Sequence, residues 1–246
     1  MNYNESNEIK YIIVIGASAG GFTAITELVS RLPPKLPTAI FIVLHLAQTS
    51  SAEVICRHLA KSTTYECRVA KNDEPILAGK IYIAPPDYHL LLTKHHLRLR
   101  KGAHENRYRP AIDVLFRSAA AHFDSRVIGI ILSGLLDDGT SGMSAIKRSG
   151  GTCIVQEPQE ADYADMPMSV LSSVEVDYRV AVAEMGYVID ELFNRPFKTD
   201  GSIPEDVLLE AEITERMVSS IDEMPKLGRH SNFTCPDCGG GLADGT

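Results

Sequence analysis

The amino-acid sequence predicts an α/β fold: a three-layer α/β/α domain built on a mainly parallel, doubly wound sheet, with a small hairpin and a C-terminal helical tail. Three observations carry that prediction. Short apolar runs at residues 11–15 and 39–44, and the largely apolar run at 126–132, read as buried strands, the second of them covered on both faces. Helical spacing follows each of them, over residues 23–30, 52–61 and 142–148. Glycine and proline punctuate the joins, as in Gly16, Gly20-Gly21, Pro33-Pro34 and Gly150-Gly151.

The elements follow in order. The first strand ends at Gly16 and opens a small-residue loop, and the helix after it stops at Leu32-Pro33-Pro34. The second strand, AIFIVL, leads into the helix over 52–61. Residues 80–84, 88–93 and 96–101 read as short strands, the last two forming the hairpin. Residues 111–122 place Ile112, Leu115, Phe116, Ala119 and Ala120 at helical spacing. The run RVIGIIL, the helix over 142–148 and a strand over 152–156 complete the alternation.

The chain divides into a disordered N-terminus (1–10), a main domain (11–195), a linker with an acidic amphipathic helix (196–225) and a glycine-rich tail (226–246). The helix begins near Pro204, carries Val207, Leu208, Ala211, Ile213, Met217, Val218 and Ile221 between acids, and is expected outside the main domain. The tail is expected to lack regular structure unless a metal or partner orders it.

Composition bounds the function. With 246 residues and 44% apolar content, the chain can bury a substantial core. The formal charge is −8, yet residues 200–246 hold ten acids and three bases, so that tail carries −7 and the body only −1. No cationic footprint for non-specific nucleic-acid binding is present. No apolar run reaches the ~18 residues of a membrane span, and the polar N-terminus lacks a signal-peptide pattern. Five cysteines, mostly isolated, do not form a disulfide framework, and a cytoplasmic setting is expected.

Three strand ends carry polar residues. In open parallel sheets, functional groups collect at the carboxyl ends of strands. The first strand exits into Gly16-Ala17-Ser18-Ala19-Gly20-Gly21, and Gly16-x-Ser18-x-Gly20 matches a nucleophile elbow. A dinucleotide loop would need glycine at position 18, and a plain tight turn is the other alternative. The second strand ends at His45, which is either a core or surface histidine or the base a serine hydroxyl needs. The third ends in Ser133-Gly134-Leu135-Leu136-Asp137-Asp138-Gly139, where Asp137 or Asp138 supplies either a turn or cap residue or an orienting carboxylate. Spacing does not choose between the two.

Taken together, Ile13–Gly21, Val43-Leu44-His45, Tyr82–His89, Arg107–Phe116 and Asp137–Met143 resemble the CheB-type protein-glutamate methylesterase domain of bacterial chemotaxis, over residues 12–189. The resemblance implies a serine hydrolase that removes methyl groups from glutamate γ-methyl esters of chemoreceptors, releases methanol, deamidates certain glutamines and needs no cofactor. It implies Ser18 as nucleophile, His45 as general base and Asp138, directly before Gly139, as orienting carboxylate. The backbone N–H groups of Ala19 and Leu135 are the candidates for stabilising the oxyanion. Two departures stand out: Ala19 replaces a frequent threonine, and Leu135-Leu136 replace a common Met-Gly. Family members typically carry an N-terminal receiver domain, for which the residues before Tyr11 leave no room, so control by a separate partner or none is expected.

Two features lie outside the triad. A basic stretch (Lys94, His95, His96, Arg98, Arg100, Lys101, His104, Arg107, Arg109) is either a solvated hairpin or a docking face for acidic receptor helices; Arg107 and Arg109 are docking candidates or, falling in the family motif, structural or cleft-lining residues. Cys235-Pro236-Asp237-Cys238 is half of a zinc ribbon, a flexible dithiol or a ligand pair shared between chains, since four ligands are needed and no second pair follows. The competing functional reading is a catalytically weak or inactive interaction module, with the acidic tail contacting a sensory-complex partner.

Overall fold

A computed structural model describes residues 9–45, 51–196, 202–218, 229–234 and 241–244. In chain order these contain β1 (Tyr11–Ala17), α1 (Gly21–Arg31), β2 (Thr38–Leu44), α2 (Ala52–Leu59), β3 (Glu66–Val69), β4 (Lys80–Ile83), β5 (His89–Leu92), β6 (Leu97–Arg100) and α3 (Ile112–Phe123). There follow β7 (Val127–Ile131), α4 (Thr140–Arg148), β8 (Thr152–Gln156), α5 (Asp165–Ser173), β9 (Tyr178–Val180), α6 (Val182–Asn194), α7 (Glu205–Val218), β10 (Arg229–Thr234) and β11 (Gly241–Asp244).

Seven strands form one sheet of order β3-β4-β2-β1-β7-β8-β9. All its strand pairs are parallel. β5 and β6 pair separately as an antiparallel hairpin. Side-chain alternation divides the core between the two faces. Ile13 and Ile15 of β1 meet Ile25 and Leu28 of α1, Leu59 of α2 and Met185 and Ile189 of α6. Ile12 and Val14 point the other way, onto Ile112, Leu115 and Phe116 of α3, Met143 and Ile146 of α4 and Val170 of α5. This explains the unbroken apolar runs: both faces of β1, β2 and β7 are covered.

The sequence reading missed β3, α5, β9 and α6. β3 (ECRV) and β9 (YRV) are edge strands, half-exposed and interrupted by charge, so neither presents an apolar run.

The topology fixes where loops meet. β1 lies between β2 and β7, and the winding reverses beside it. Its register pairs Ala17 with Leu44 and Gly16 with Ile131. Ser18 and His45 therefore leave adjacent parallel strands side by side, at a strand spacing of about 4.8 Å. The loop after β7 emerges on the other side.

Two expectations for the C-terminus are corrected. The acidic helix does not stand apart from the domain: α7 packs on α3. Val207 and Ala211, one helical turn apart, are buried in the core cluster, and Arg148 donates to both carboxylate oxygens of Asp206 at 2.7 and 2.6 Å. The physical reason is that residues at i and i+4 share one face of a helix, and this apolar pair is buried where α7 packs on α3. Leu208, Leu209 and Ile213 remain exposed. The glycine-rich tail, expected to be irregular, contains the antiparallel pair β10–β11. Cys235 and Cys238 lie outside the described residues.

Val207→Asp is expected to release α7. Burying a valine stabilises by roughly 1.5–3 kcal/mol, so amide exchange in α7 should accelerate about tenfold or more while β1 keeps its protection. Unchanged exchange in α7 would contradict the docking described.

Candidate active site

The loop after β1 is held by the strand next to it. Ser18 N–H donates to the Ser133 carbonyl at 2.9 Å. The Ser133 hydroxyl donates to the Ala19 carbonyl at 2.7 Å and accepts the Tyr163 N–H at 3.0 Å. Ser133 N–H in turn donates to Gln156 Oε1 at 2.8 Å. Gly20 turns the chain in a left-handed conformation, φ 72°, and Gly21 N–H closes onto the Ser18 carbonyl at 2.9 Å to start α1. Gly134 is required by space: a Cβ there would collide with the Met166 sulfur and lie 2.9 Å from the Ser18 Cβ. The result is a strand–turn–helix corner with Ser18 at its apex.

Around that corner most backbone donors are committed. Ser18 N–H is on Ser133, and Gly134 N–H donates to the Tyr163 carbonyl at 3.0 Å. Among the described residues, the N–H groups of Ala19 and Leu135 make no such bond.

His45 leaves β2 with its N–H on the Ala17 carbonyl at 3.0 Å, so its backbone continues the sheet for one more residue. Its imidazole is almost fully buried, and Tyr108 stacks on it with ring centroids 3.5 Å apart and planes within 10°. Nε2 lies 2.9 Å from Asp138 Oδ2. Nδ1 is buried and has no hydrogen-bond partner among the described residues.

Asp138 is buried, whereas Asp137 is exposed. The Asp138 carboxylate collects four donors. Besides His45, these are Asn106 Nδ2 at 2.8 Å, Ile112 N–H at 2.7 Å and Asp113 N–H at 3.2 Å. The last two are free N–H groups of the first turn of α3, so Asp138 also caps that helix. Burial works against its charge, but the bonds from His45, Ile112 and Asn106 outweigh it and hold the carboxyl below the ordinary range. An ionised carboxylate only accepts, so Nε2 carries the imidazole proton and Nδ1 presents a lone pair.

A second buried carboxyl backs the first. Asp113 Oδ1 accepts the Gly142 N–H of α4 at 2.6 Å, and Oδ2 accepts Asn106 Nδ2 at 2.7 Å. Burial, then the negative charge of Asp138, pushes Asp113 up to about 7. His89, also buried, ties this region together: its Nε2 donates to the Ala103 carbonyl at 2.8 Å and its Nδ1 accepts the Ala111 N–H at 3.2 Å. Burial holds its basicity down, so it is a neutral strut.

The remaining sequence candidates separate. Arg107 is exposed on the turn beside Asn106 and Tyr108. Arg109 is committed: its guanidinium donates to Asp87 Oδ1 at 2.8 Å and to the Gly102 carbonyl. Two further cations of the basic stretch are paired, Lys101 with Asp87 at 2.9 Å and Arg98 with Asp73 at 2.5 Å. Leu136 adopts φ 67°, a left-handed conformation unusual for a bulky residue, and both Leu135 and Leu136 are exposed at the rim. Sequence reasoning assigned no role to Asn106, Tyr108, Asp113 or Ser133. The Asn-Arg pair at 106–107 was the available signal, since asparagine favours left-handed turns.

A serine, a histidine and a buried aspartate thus stand at neighbouring strand ends of a doubly wound parallel sheet, in an α/β domain. Residues 13–189 match the family model described as CheB methylesterase, and the chain belongs to that family. It is 39% identical over 184 residues to a Leptospira interrogans protein named for protein-glutamate methylesterase/protein-glutamine glutaminase activity, covering 74% of this chain and 93% of that one. It is 36% identical over 182 residues to protein-glutamate methylesterase/protein-glutamine glutaminase 3 of Burkholderia lata, covering 71% of this chain and 48% of that protein. The chain thus spans about half the length of the Burkholderia relative. The crystal structure of the Thermotoga maritima CheB methylesterase catalytic domain superposes with a TM-score of 0.71 at 31% identity, covering 74% of this chain and 98% of that one.

The two carboxyls act oppositely on stability. Asp138, depressed when folded, contributes stability above the ordinary carboxylate range and loses it as pH falls through its folded value. Asp113, raised when folded, contributes most at low pH and loses that contribution as pH rises toward 7. Asp113→Asn is therefore expected to flatten the decline in stability between about pH 5 and 7, by up to about 1.4 kcal/mol per pH unit. Urea unfolding across that range checks it. A parallel decline in both proteins would contradict it.

Proposed function

We propose that this chain hydrolyses glutamate γ-methyl esters on chemoreceptor-like proteins through Ser18, His45 and Asp138, and deamidates glutamines at the same site. The observation that carries the reading is the imidazole of His45. Its Nε2 is held by Asp138, and its buried Nδ1 has no partner beside a serine on the neighbouring strand. Names of relatives with both activities support the substrate class.

His45 Nδ1 takes the Ser18 proton as Ser18 Oγ adds to the ester carbonyl. Asp138 stabilises the imidazolium that forms. The uncommitted N–H groups of Ala19 and Leu135 are assigned to the oxyanion, a contribution of about 3–4 kcal/mol per donor in comparable sites. Protonated by His45, methanol departs and leaves a glutamyl ester on Ser18. Water, deprotonated by His45, releases the free glutamate. With a glutamine side chain the leaving group is ammonia. None of these steps calls for a cofactor.

Arg107, exposed on the turn next to Tyr108, keeps its assignment as a docking residue for an acidic receptor surface. Arg109 is reassigned to holding Asp87 and the Gly102 carbonyl. The interaction-module reading draws on the exposed Leu208, Leu209 and Ile213 of α7.

Methanol release from a chemoreceptor cytoplasmic fragment bearing glutamate γ-methyl esters separates the two. Ser18→Ala should lower turnover by about 10³-fold or more, and His45→Ala comparably, with the fold intact. Equal, slow release by wild type and Ser18→Ala would leave only the module.

A further inference from the structure

We propose that Asn106 is a positioning residue for this site: its side-chain amide bridges two buried carboxylates and thereby keeps Asp138 aimed at His45. The inference deepens the serine-hydrolase reading and rests on it.

One nitrogen serves both acids. Asn106 Nδ2 has two hydrogens, and it lies 2.8 Å from Asp138 Oδ1 and 2.7 Å from Asp113 Oδ2. Among the described residues it is the one side chain bonded to both. Two buried carboxylates this close cannot both ionise without compensation. The groups facing them are few. Asp138 meets His45, Asn106 and the N–H groups of Ile112 and Asp113. Asp113 meets Asn106 and the Gly142 N–H, while Arg117 on its own helix, paired with Glu105, also favours its charged form at a distance. Glu105 and Arg109 also act on the buried His89 nearby. Among the described residues no cation is hydrogen-bonded to either carboxylate except His45 when protonated, and the shared amide adds to what the N–H donors of Ile112 and Gly142 supply, as the one side chain that serves both.

The backbone explains why asparagine stands there. Asn106 and Arg107 both have positive φ, 50° and 70°, and Glu105 and Tyr108 close the turn with reciprocal bonds of 3.1 and 2.9 Å. Asparagine tolerates that conformation. The same turn delivers Tyr108 onto the face of His45. One tight turn therefore grips both partners, Asp138 by its amide and His45 by its ring.

Asn106→Gly keeps the left-handed turn and deletes only the amide. Without the shared donor, the carboxylate pair should retain a proton to higher pH. The low-pH limb of kcat/KM for methanol release should then move up by about one pH unit, with a roughly tenfold loss near neutrality and KM little changed. Adding Asp113→Asn removes the second charge, so the double variant should move the limb back toward wild type. Carbon-13 NMR of the aspartate carboxyls, which needs no turnover, should give the same order of midpoints: raised in Asn106→Gly and lowered again in the double variant. If the carboxyl midpoints do not move, the bridge is overturned. A uniform activity loss at every pH, deepened by Asp113→Asn, would also overturn it, because a merely structural role gives that pattern. If the midpoints shift as expected but wild type and Ser18→Ala release methanol equally, the bridge stands and the hydrolase reading fails.

Discussion

Removing a carboxylate from water costs several kcal/mol unless hydrogen bonds replace the lost hydration. Asp138 meets that requirement with donors from three separate parts of the chain: the end of β2, the turn at 105–108 and the first turn of α3. Each of these segments is thereby fixed relative to the others. The rigidity of the site follows from the need to satisfy one buried charge.

The arrangement is reciprocal. Asp138, from the loop before α4, caps α3, while Asp113, from the first turn of α3, accepts an N–H of α4. Two helix N-termini are thus tied together by carboxyls exchanged between them. On the other side of β1, Ser133 binds the serine corner twice, through its carbonyl and its hydroxyl, and is itself held by Gln156. Register supplies the remainder, since Ala17 opposite Leu44 leaves Ser18 and His45 adjacent without any further device. The geometry of the candidate site is inherited from a parallel sheet and then locked by polar contacts at its carboxyl edge.

Much of this was legible in the sequence, for identifiable reasons. The central strands announce themselves because burial on both faces demands continuous apolar residues, and the polar residues that end them are conspicuous for the same reason. The edge strands β3 and β9 are silent because half-exposed strands tolerate charge. The docking of α7 could not be read from its composition, since seven apolar positions give no hint that Val207 and Ala211 are the buried pair. The contributions of Asn106, Asp113 and Tyr108 were hidden differently. They lie far from Asp138 or His45 in sequence; a turn with two positive φ angles brings in Asn106 and Tyr108, and the first turn of α3 brings in Asp113. Arg109 stayed open between docking, a structural role and the cleft because nothing in the sequence announces its pairing with Asp87.

The central claim is that Asp138 holds His45 by Nε2 and leaves Nδ1 bare for Ser18. Nitrogen-15 NMR of the histidine ring, at a pH where the imidazole is neutral, tests it most directly. The account predicts a proton on Nε2 and an unprotonated Nδ1, with the Nε2 proton signal lost in Asp138→Ala. A proton on Nδ1 with Nε2 bare would contradict it.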